Sequence, residues 1–170
     1  MIQANALLEK AKTSSFYLKM LNFSMSRIIP FNRPHTFRII EVMENGIKVK
    51  LPYKNNNLNH LKGLHACALA TLSEFTSGVS LISCLDISQY RIILKSLEMS
   101  YYYQGRMDAY ASYSINPEWI DEFLLNPLKS NDSVDISCQV ETHDKDGNHL
   151  ATGIIGWQIK PWNKVKSRQP

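Results

Sequence analysis

The chain has 170 residues, 44% hydrophobic and 20% charged, which suits one soluble globular domain with a single core. A formal charge of +4 excludes little by itself, but Lys160, Lys164, Lys166 and Arg168 crowd its C-terminal end. No basic stripe with a reading motif accompanies them, so no nucleic-acid partner is expected. Glu9, Lys10, Lys12 and Lys19 interrupt any apolar segment of a signal peptide, and no stretch approaches the roughly 20 apolar residues of a membrane span. Cys67, Cys84 and Cys138 are odd in number and share no CxxC spacing, so neither a disulfide framework nor a zinc site is indicated. The expectation is a cytoplasmic protein with no membrane partner.

In chain order, residues 5–27 place Leu7, Leu8, Ala11, Phe16, Leu18, Leu21 and Met25 loosely at helical spacing, until Pro30 and Pro34 end the segment. An N-terminal helical segment over 1–30 follows from this, laid across the outside of the domain. Two extended runs, "TFRIIEVM" (36–43) and "GIKVKLP" (46–52), flank Glu44-Asn45-Gly46, and the Asn-Gly step signals a hairpin. A polar loop, 53–63, leads into a helix from about Leu64 to Gly78, whose apolar residues surround its axis, so it must be covered on most sides. "KSLEMSYYY" (95–103) and "RMDAYASYSI" (106–115) alternate, with Gln104-Gly105 expected as the turn between them. "NPEWIDEFLLNP" (116–127) reads as a short helix opened by Asn116-Pro117 and closed by Pro127. "SVDISCQVE" (133–141) and "HLATGIIGWQIK" (149–160) are the last strands, joined through an Asp-Gly turn, and 161–170 forms a basic tail.

Strands outnumber helices, and hairpin turns argue for an antiparallel sheet. One antiparallel sheet wrapped around the apolar helix, with an extra N-terminal helix, accounts for the order. This α+β arrangement is the hotdog fold, here over residues 31–160, and a symmetric homodimer or dimer of dimers is expected of it.

The apolar helix carries a carboxylate. At 100° per residue Cys67, Ala70 and Glu74 share one stripe. Small residues on that stripe leave room for another molecule, and the first N–H groups of a helix can hold an oxyanion. Glu74 could attack an acyl carbon or deprotonate a water. It could equally be a surface residue in an exposed last turn, beside Ser73, Thr76 and Ser77. The tyrosines Tyr101, Tyr102, Tyr103, Tyr110 and Tyr113 could line an acyl tunnel, or be strand packing.

The chain resembles the hotdog thioesterases. The phenylacetyl-CoA type of that family shows an Asn, a His six residues on, usually a Gly-Gly pair, and an Asp nine residues past the His. Asn59, His65 and Glu74 keep both spacings, while Ala66-Cys67 replaces Gly-Gly and Glu replaces Asp. The whole pattern, with "LPYKNNNLNHLKGLHACALATLSEF" and "YYYQGR", looks closest to an uncharacterised hotdog family, a domain of unknown function. The resemblance implies Glu74 as base or nucleophile, Asn59 and His65 as positioning groups, Ala66 and Cys67 as main-chain donors, and an acyl-CoA or acyl-ACP thioester as substrate. It implies no cofactor and no metal.

Two other readings share the fold. Hotdog dehydratases use a His with an acid fourteen residues later, and His60 to Glu74 has that spacing, but the Phe-Pro-Gly and Pro-Gly that accompany it there are missing. A non-catalytic acyl-thioester binder would need no Glu74 chemistry. A Cys67–His65 nucleophile pair diverges by about 200° on a helix, and His60, His65 and Glu74 lack a zinc spacing.

Overall fold

The computed structural model describes residues 3–165. Its centre is α3 (Ala66–Cys84), a helix with Leu69, Leu72, Phe75, Val79 and Leu81 all buried. A six-stranded antiparallel sheet curls around it. The strands are β1 (Arg38–Met43), β2 (Gly46–Leu51), β3 (Tyr90–Tyr101), β4 (Ala109–Ser114), β5 (Val134–Asp144) and β6 (His149–Pro161), in spatial order β1-β2-β4-β5-β6-β3. The cleanest alternation belongs to β5, where Ile136, Cys138 and Val140 point to the core and Asp135, Ser137 and Gln139 point out. By length and composition α3 could cross a membrane; here it is the core helix.

Packing this close to a helix needs small residues. Gly78 of α3 sits beneath Trp157, 3.0 Å from where a Cβ would stand. The indole Nε1 donates to Ser77 Oγ at 3.0 Å. On β6, a side chain at Gly153 would meet Met99 and Ser73.

One turn is as expected and one is corrected. The expected hairpin joins β1 and β2, with Glu44 and Asn45 as its turn, neither at positive φ, and Met43 paired with Gly46. Gly46 is further required because β4 passes so close that a Cβ would lie 2.0 Å from Tyr113 O. Gln104-Gly105 is not a hairpin turn. β3 lies at one edge beside β6, whereas β4 lies between β2 and β5, so the chain crosses the sheet end there. The Gly105 carbonyl accepts from Leu64 N at 2.8 Å, bracing the approach to α3.

Some boundaries move as well. α3 runs on to Cys84, and β3 starts at Tyr90. The 116–127 segment is a helix over α4 (Pro117–Ile120), a π-helical turn (Asp121–Leu125) and α5 (Asn126–Leu128), with Asn116 capping Glu118 N at 2.8 Å. The expected basic tail is partly structured: Lys160 is in β6, Trp162 Nε1 donates to Ile87 O, and Lys164 pairs with Asp132 at 2.9 Å. Lys166 and Arg168 lie outside the described residues.

The N-terminal segment is two helices, α1 (Gln3–Thr13) and α2 (Ser15–Ile28), broken at extended Ser14. Leu8, Ala11 and Leu21 join the same core as the sheet. α2 also covers an edge. Asn22 Oδ1 accepts from Ile39 N and its Nδ2 donates to Ile39 O, both at 2.8 Å, so one side chain stands in for a neighbouring strand on β1. This blunts an edge that would otherwise invite pairing. Asn22→Ala is expected to cost about 1–3 kcal/mol, measurable as a lower denaturation midpoint with an unchanged m-value.

Candidate active site

The site is built on the first two turns of α3 and the loop that delivers them. His65 is the N-cap: its backbone is extended and its Nδ1 accepts from Cys67 N at 3.0 Å. That bond requires the neutral ring with its proton on Nε2. It also means that the two expected main-chain donors differ. Cys67 N–H is taken by His65, whereas Ala66 N–H meets no acceptor among the described residues. Ala66 and Cys67 are both exposed. The Ala66 carbonyl accepts from Tyr101 Oη at 3.0 Å, which ties the end of β3 to the helix start. Burial, and then the nearby Cys67, push the Tyr101 phenol up, so it stays a donor.

Glu74 lies on the outward stripe of α3 with Cys67, Ala70 and Thr71, while the rest of its turn is buried. It is not in an exposed last turn. The helix continues well past it, and the polar neighbours turn inward: Ser73 Oγ donates to Leu69 O, Thr76 Oγ1 to Leu72 O and Ser77 Oγ to Glu74 O. The Glu74 side chain is half-buried, and among the described residues no group hydrogen-bonds or ion-pairs with its carboxylate. Burial alone raises its carboxyl above the ordinary glutamate range. A partly buried, unpartnered acid is a recurring feature of reactive sites; Glu74 lies one turn beyond Thr71 and lines neither of the cavities described next.

A cavity of about 260 Å³ opens over the helix start, lined by Phe31, His35, His65, Cys67, Ala68 and Thr71 among others. A second of about 310 Å³ adjoins it, with Phe37 and Phe75 in its wall. Ala66-Cys67 in place of a glycine pair therefore does not plug the space.

The remaining predicted residues are placed differently. Asn59 does not reach across the site. Its Oδ1 accepts from Leu61 N and Gly63 N at 2.9 and 3.0 Å, folding the 59–63 loop, in which Lys62 takes a φ of 60°. His60 is exposed in that loop, and nothing described joins it to Glu74, so no observation favours the dehydratase pairing. The residue that sequence reasoning missed is Asn57. Fully buried, it pairs Oδ1 with His35 Nδ1 at 2.9 Å and donates Nδ2 to Pro52 O and His35 O, while its own carbonyl accepts from His65 N at 2.8 Å. It fixes the N-cap by anchoring the loop that precedes it. Three asparagines stand in a row at 55–57, and nothing local marks out the third.

Metal ligands do not converge on α3. The described group whose donor atoms lie within 4.8 Å of one another is Glu141, His143 and His149, on the outer face of β5 and β6. There His149 Nε2 already meets Thr152 Oγ1, and Lys48 and Lys145 line the same recess, which opposes a cation.

A sheet curled on one buried helix, with a groove at that helix's start, defines a hotdog-fold protein. The chain belongs to the family of the domain of unknown function DUF4442, whose model matches residues 19–159. Among solved structures it is similar to PA5026 of Pseudomonas aeruginosa, a protein of unknown function and probable thioesterase, at 18% identity and TM-score 0.77 over 84% of this chain and 95% of that one. It is also similar to thioesterase HI1161 of Haemophilus influenzae, at 13% identity and TM-score 0.67 over 89% and 95%. A third is a mutant of thioesterase PA1618 of Pseudomonas aeruginosa, at 15% and 0.66 over 89% and 99%. At such identities the likeness establishes the fold. No curated protein matches the chain.

Proposed function

We propose that the protein hydrolyses an acyl thioester, of CoA or of an acyl carrier protein, with Glu74 as general base. The observation that carries this reading is the partly buried, partnerless Glu74 carboxylate on the same open helix face as the free Ala66 N–H. Thioesterase is also the name of two of the similar structures. The substrate carbonyl oxygen accepts from Ala66 N–H. Cys67 N–H joins once its bond to His65 opens, which makes His65 a positioning group. Eight residues separate Ala66 from Glu74, about 12 Å along the axis. Helical side chains lean back toward the N-terminus, so the carboxylate covers part of that span toward the thioester. Glu74 takes a proton from the water, and the hydroxide adds to the carbonyl carbon. The oxyanion collapses, the C–S bond breaks, and the thiolate recovers the proton. The step uses groups of this chain and water only. Asn59 contributes by shaping the loop before the helix.

A thiol-release assay across acyl-CoA chain lengths, and on acyl carrier protein, tests the activity. Release that saturates with one acyl class is expected. Saturable binding with no release would leave a binding protein in its place.

We further propose that the working form is a homodimer in a reducing cytoplasm, where its three cysteines stay thiols. β3 is an edge strand, and its inner-face residues Leu94 and Leu97 are exposed, as is Tyr101 apart from the hydroxyl it offers to the Ala66 carbonyl. A long apolar edge calls for a cover, and a second copy pairing β3 to β3 supplies one beside the groove. Light scattering is expected to give twice the chain mass. Leu94→Glu with Leu97→Glu is expected to shift the protein to monomer and to lower thiol release in parallel, at least tenfold if one stabilised carbonyl contact is lost with the cover.

A further inference from the structure

α2 is apolar on both sides. Its inner side packs Leu18, Leu21 and Met25 on the core. Its outer side presents Phe16, Met20 and Phe23 at i, i+4 and i+7, exposed by 64%, 42% and 62%, and the apolar line continues through Ile28 (68%) and Phe31 (67%). A helix that shows large apolar side chains on a second face ordinarily has that face covered too. Single exposed apolar residues need no explanation, but Phe16, Met20 and Phe23 on one stripe, with Ile28 and Phe31 exposed just beyond, do.

The charge of the same segment says what covers it. Residues 10–40 hold Lys10, Lys12, Lys19, Arg27, Arg33 and Arg38 and no acid. The other residues hold thirteen basic and fifteen acidic side chains, so the whole positive excess of the chain sits here. Lys12 is paired with Glu9 and Glu44, but among the described residues Lys19, Arg27, Arg33 and Arg38 have no ion pair. Lys19 and Arg27 fall on the outer stripe with the phenylalanines, and the Arg27 guanidinium lies 4.9 Å from the Phe23 ring centre. A second copy of this face is a poor cover, because a twofold contact would set these cations against themselves. Exposed aromatics interleaved with unpaired cations, on a helix lying flat along the domain, match the physics of an interfacial membrane helix.

We propose that α2 and the turn after it, residues 16–31, seat the protein on an anionic membrane surface. Phe16, Phe23 and Phe31 enter the headgroup boundary, and Lys19, Arg27 and Arg33 pair with lipid phosphates. Phe31 also lines the cavity over the α3 start, and Phe23 and Arg33 line the adjoining one. The docked face is therefore the rim of the candidate site, and an acyl chain leaving the bilayer has a short path into it. A sequence search for a span misses this, because docking needs none. The docking is read from vesicle binding, so it stands or falls apart from the hydrolase reading.

The test is co-sedimentation of the full chain with phosphatidylcholine vesicles, with and without phosphatidylglycerol. Binding is expected with the anionic lipid, falling as salt rises, and weak without it. Each cation near such a surface contributes about fivefold, so Lys19→Gln with Arg27→Gln is expected to weaken binding about 25-fold. Phe16→Ser with Phe23→Ser weakens it further, and Phe23→Trp reports insertion by a blue-shifted emission even if the serine variant folds poorly. The proposal is overturned if the protein ignores anionic vesicles, or if the double Gln variant binds as well as wild type. It is also overturned if the Phe16→Ser, Phe23→Ser variant merely dissociates an oligomer, or if an acidic carrier protein binds this face while vesicles do not.

Discussion

Glu74→Gln is expected to lower kcat/KM for thioester hydrolysis by about 10²–10⁴-fold, the range of a positioned general base, while leaving the fold as stable as before or more so. Both halves follow from one observation. The carboxylate is partly buried with no partner among the described residues, so the chain gains nothing structurally from its charge. Burial raises its pKa, which means that the folded state favours the protonated acid. Its contribution to stability is present below the ordinary glutamate pKa of about 4.3 and is lost as pH rises through the raised folded value. At neutral pH the wild type bears an uncompensated charge that the amide does not. Loss of activity with retained or raised Tm is the signature of a reactive group, and a purely structural acid would show the reverse. The acid limb of the wild-type pH–rate profile is expected above the ordinary glutamate range, because the base works only when ionised. Glu74→Asp, shorter by one methylene, should keep part of the rate.

The second large effect is on stability. Asn57→Ala strands the carbonyl of Pro52, frees the His35 ring and deletes three side-chain bonds at a site with no solvent access. Leaving buried partners unpaired costs about 3 kcal/mol, which in a chain of this size is a fall in Tm of roughly 6–12 °C. Asn57→Asp keeps the acceptor but loses both donated bonds, and is expected to rescue little. Because the Asn57 carbonyl receives His65 N, activity measured below the melting range should fall as well, through a less ordered helix start. Differential scanning calorimetry with parallel kinetics separates the two contributions.

Most strands were legible because they bury one face. Val134, Ile136, Cys138 and Val140 declare β5 without any knowledge of its neighbours, and the apolar girdle of α3 declares the helix that a sheet must cover. Pairing was less legible. Nothing near Gln104-Gly105 shows that β3 belongs beside β6 and not beside β4, since strand order is a property of distant residues. Gly46 was noticed for a local reason and is needed for a distant one, the passage of β4. In the site, the spacing of His65 and Glu74 pointed to one face of α3, but it could not show that the His65 ring would bind Cys67 N–H, nor that Asn59 would spend its oxygen on its own loop. Phe16 counted as one more apolar residue at helical spacing although it faces outward. The acid-free run from Lys10 to Ile40 was visible in the sequence and was masked by the modest net charge.

The central claim is that Ala66 N–H and the Glu74 carboxylate face one groove that admits an acyl carbonyl. A crystal structure with a non-hydrolysable acyl-CoA analogue tests it most directly. The account predicts the carbonyl oxygen about 2.7–3.1 Å from Ala66 N, with Glu74 facing the carbonyl carbon through water. An analogue bound elsewhere, or bound with its carbonyl turned away from the start of α3, would contradict it.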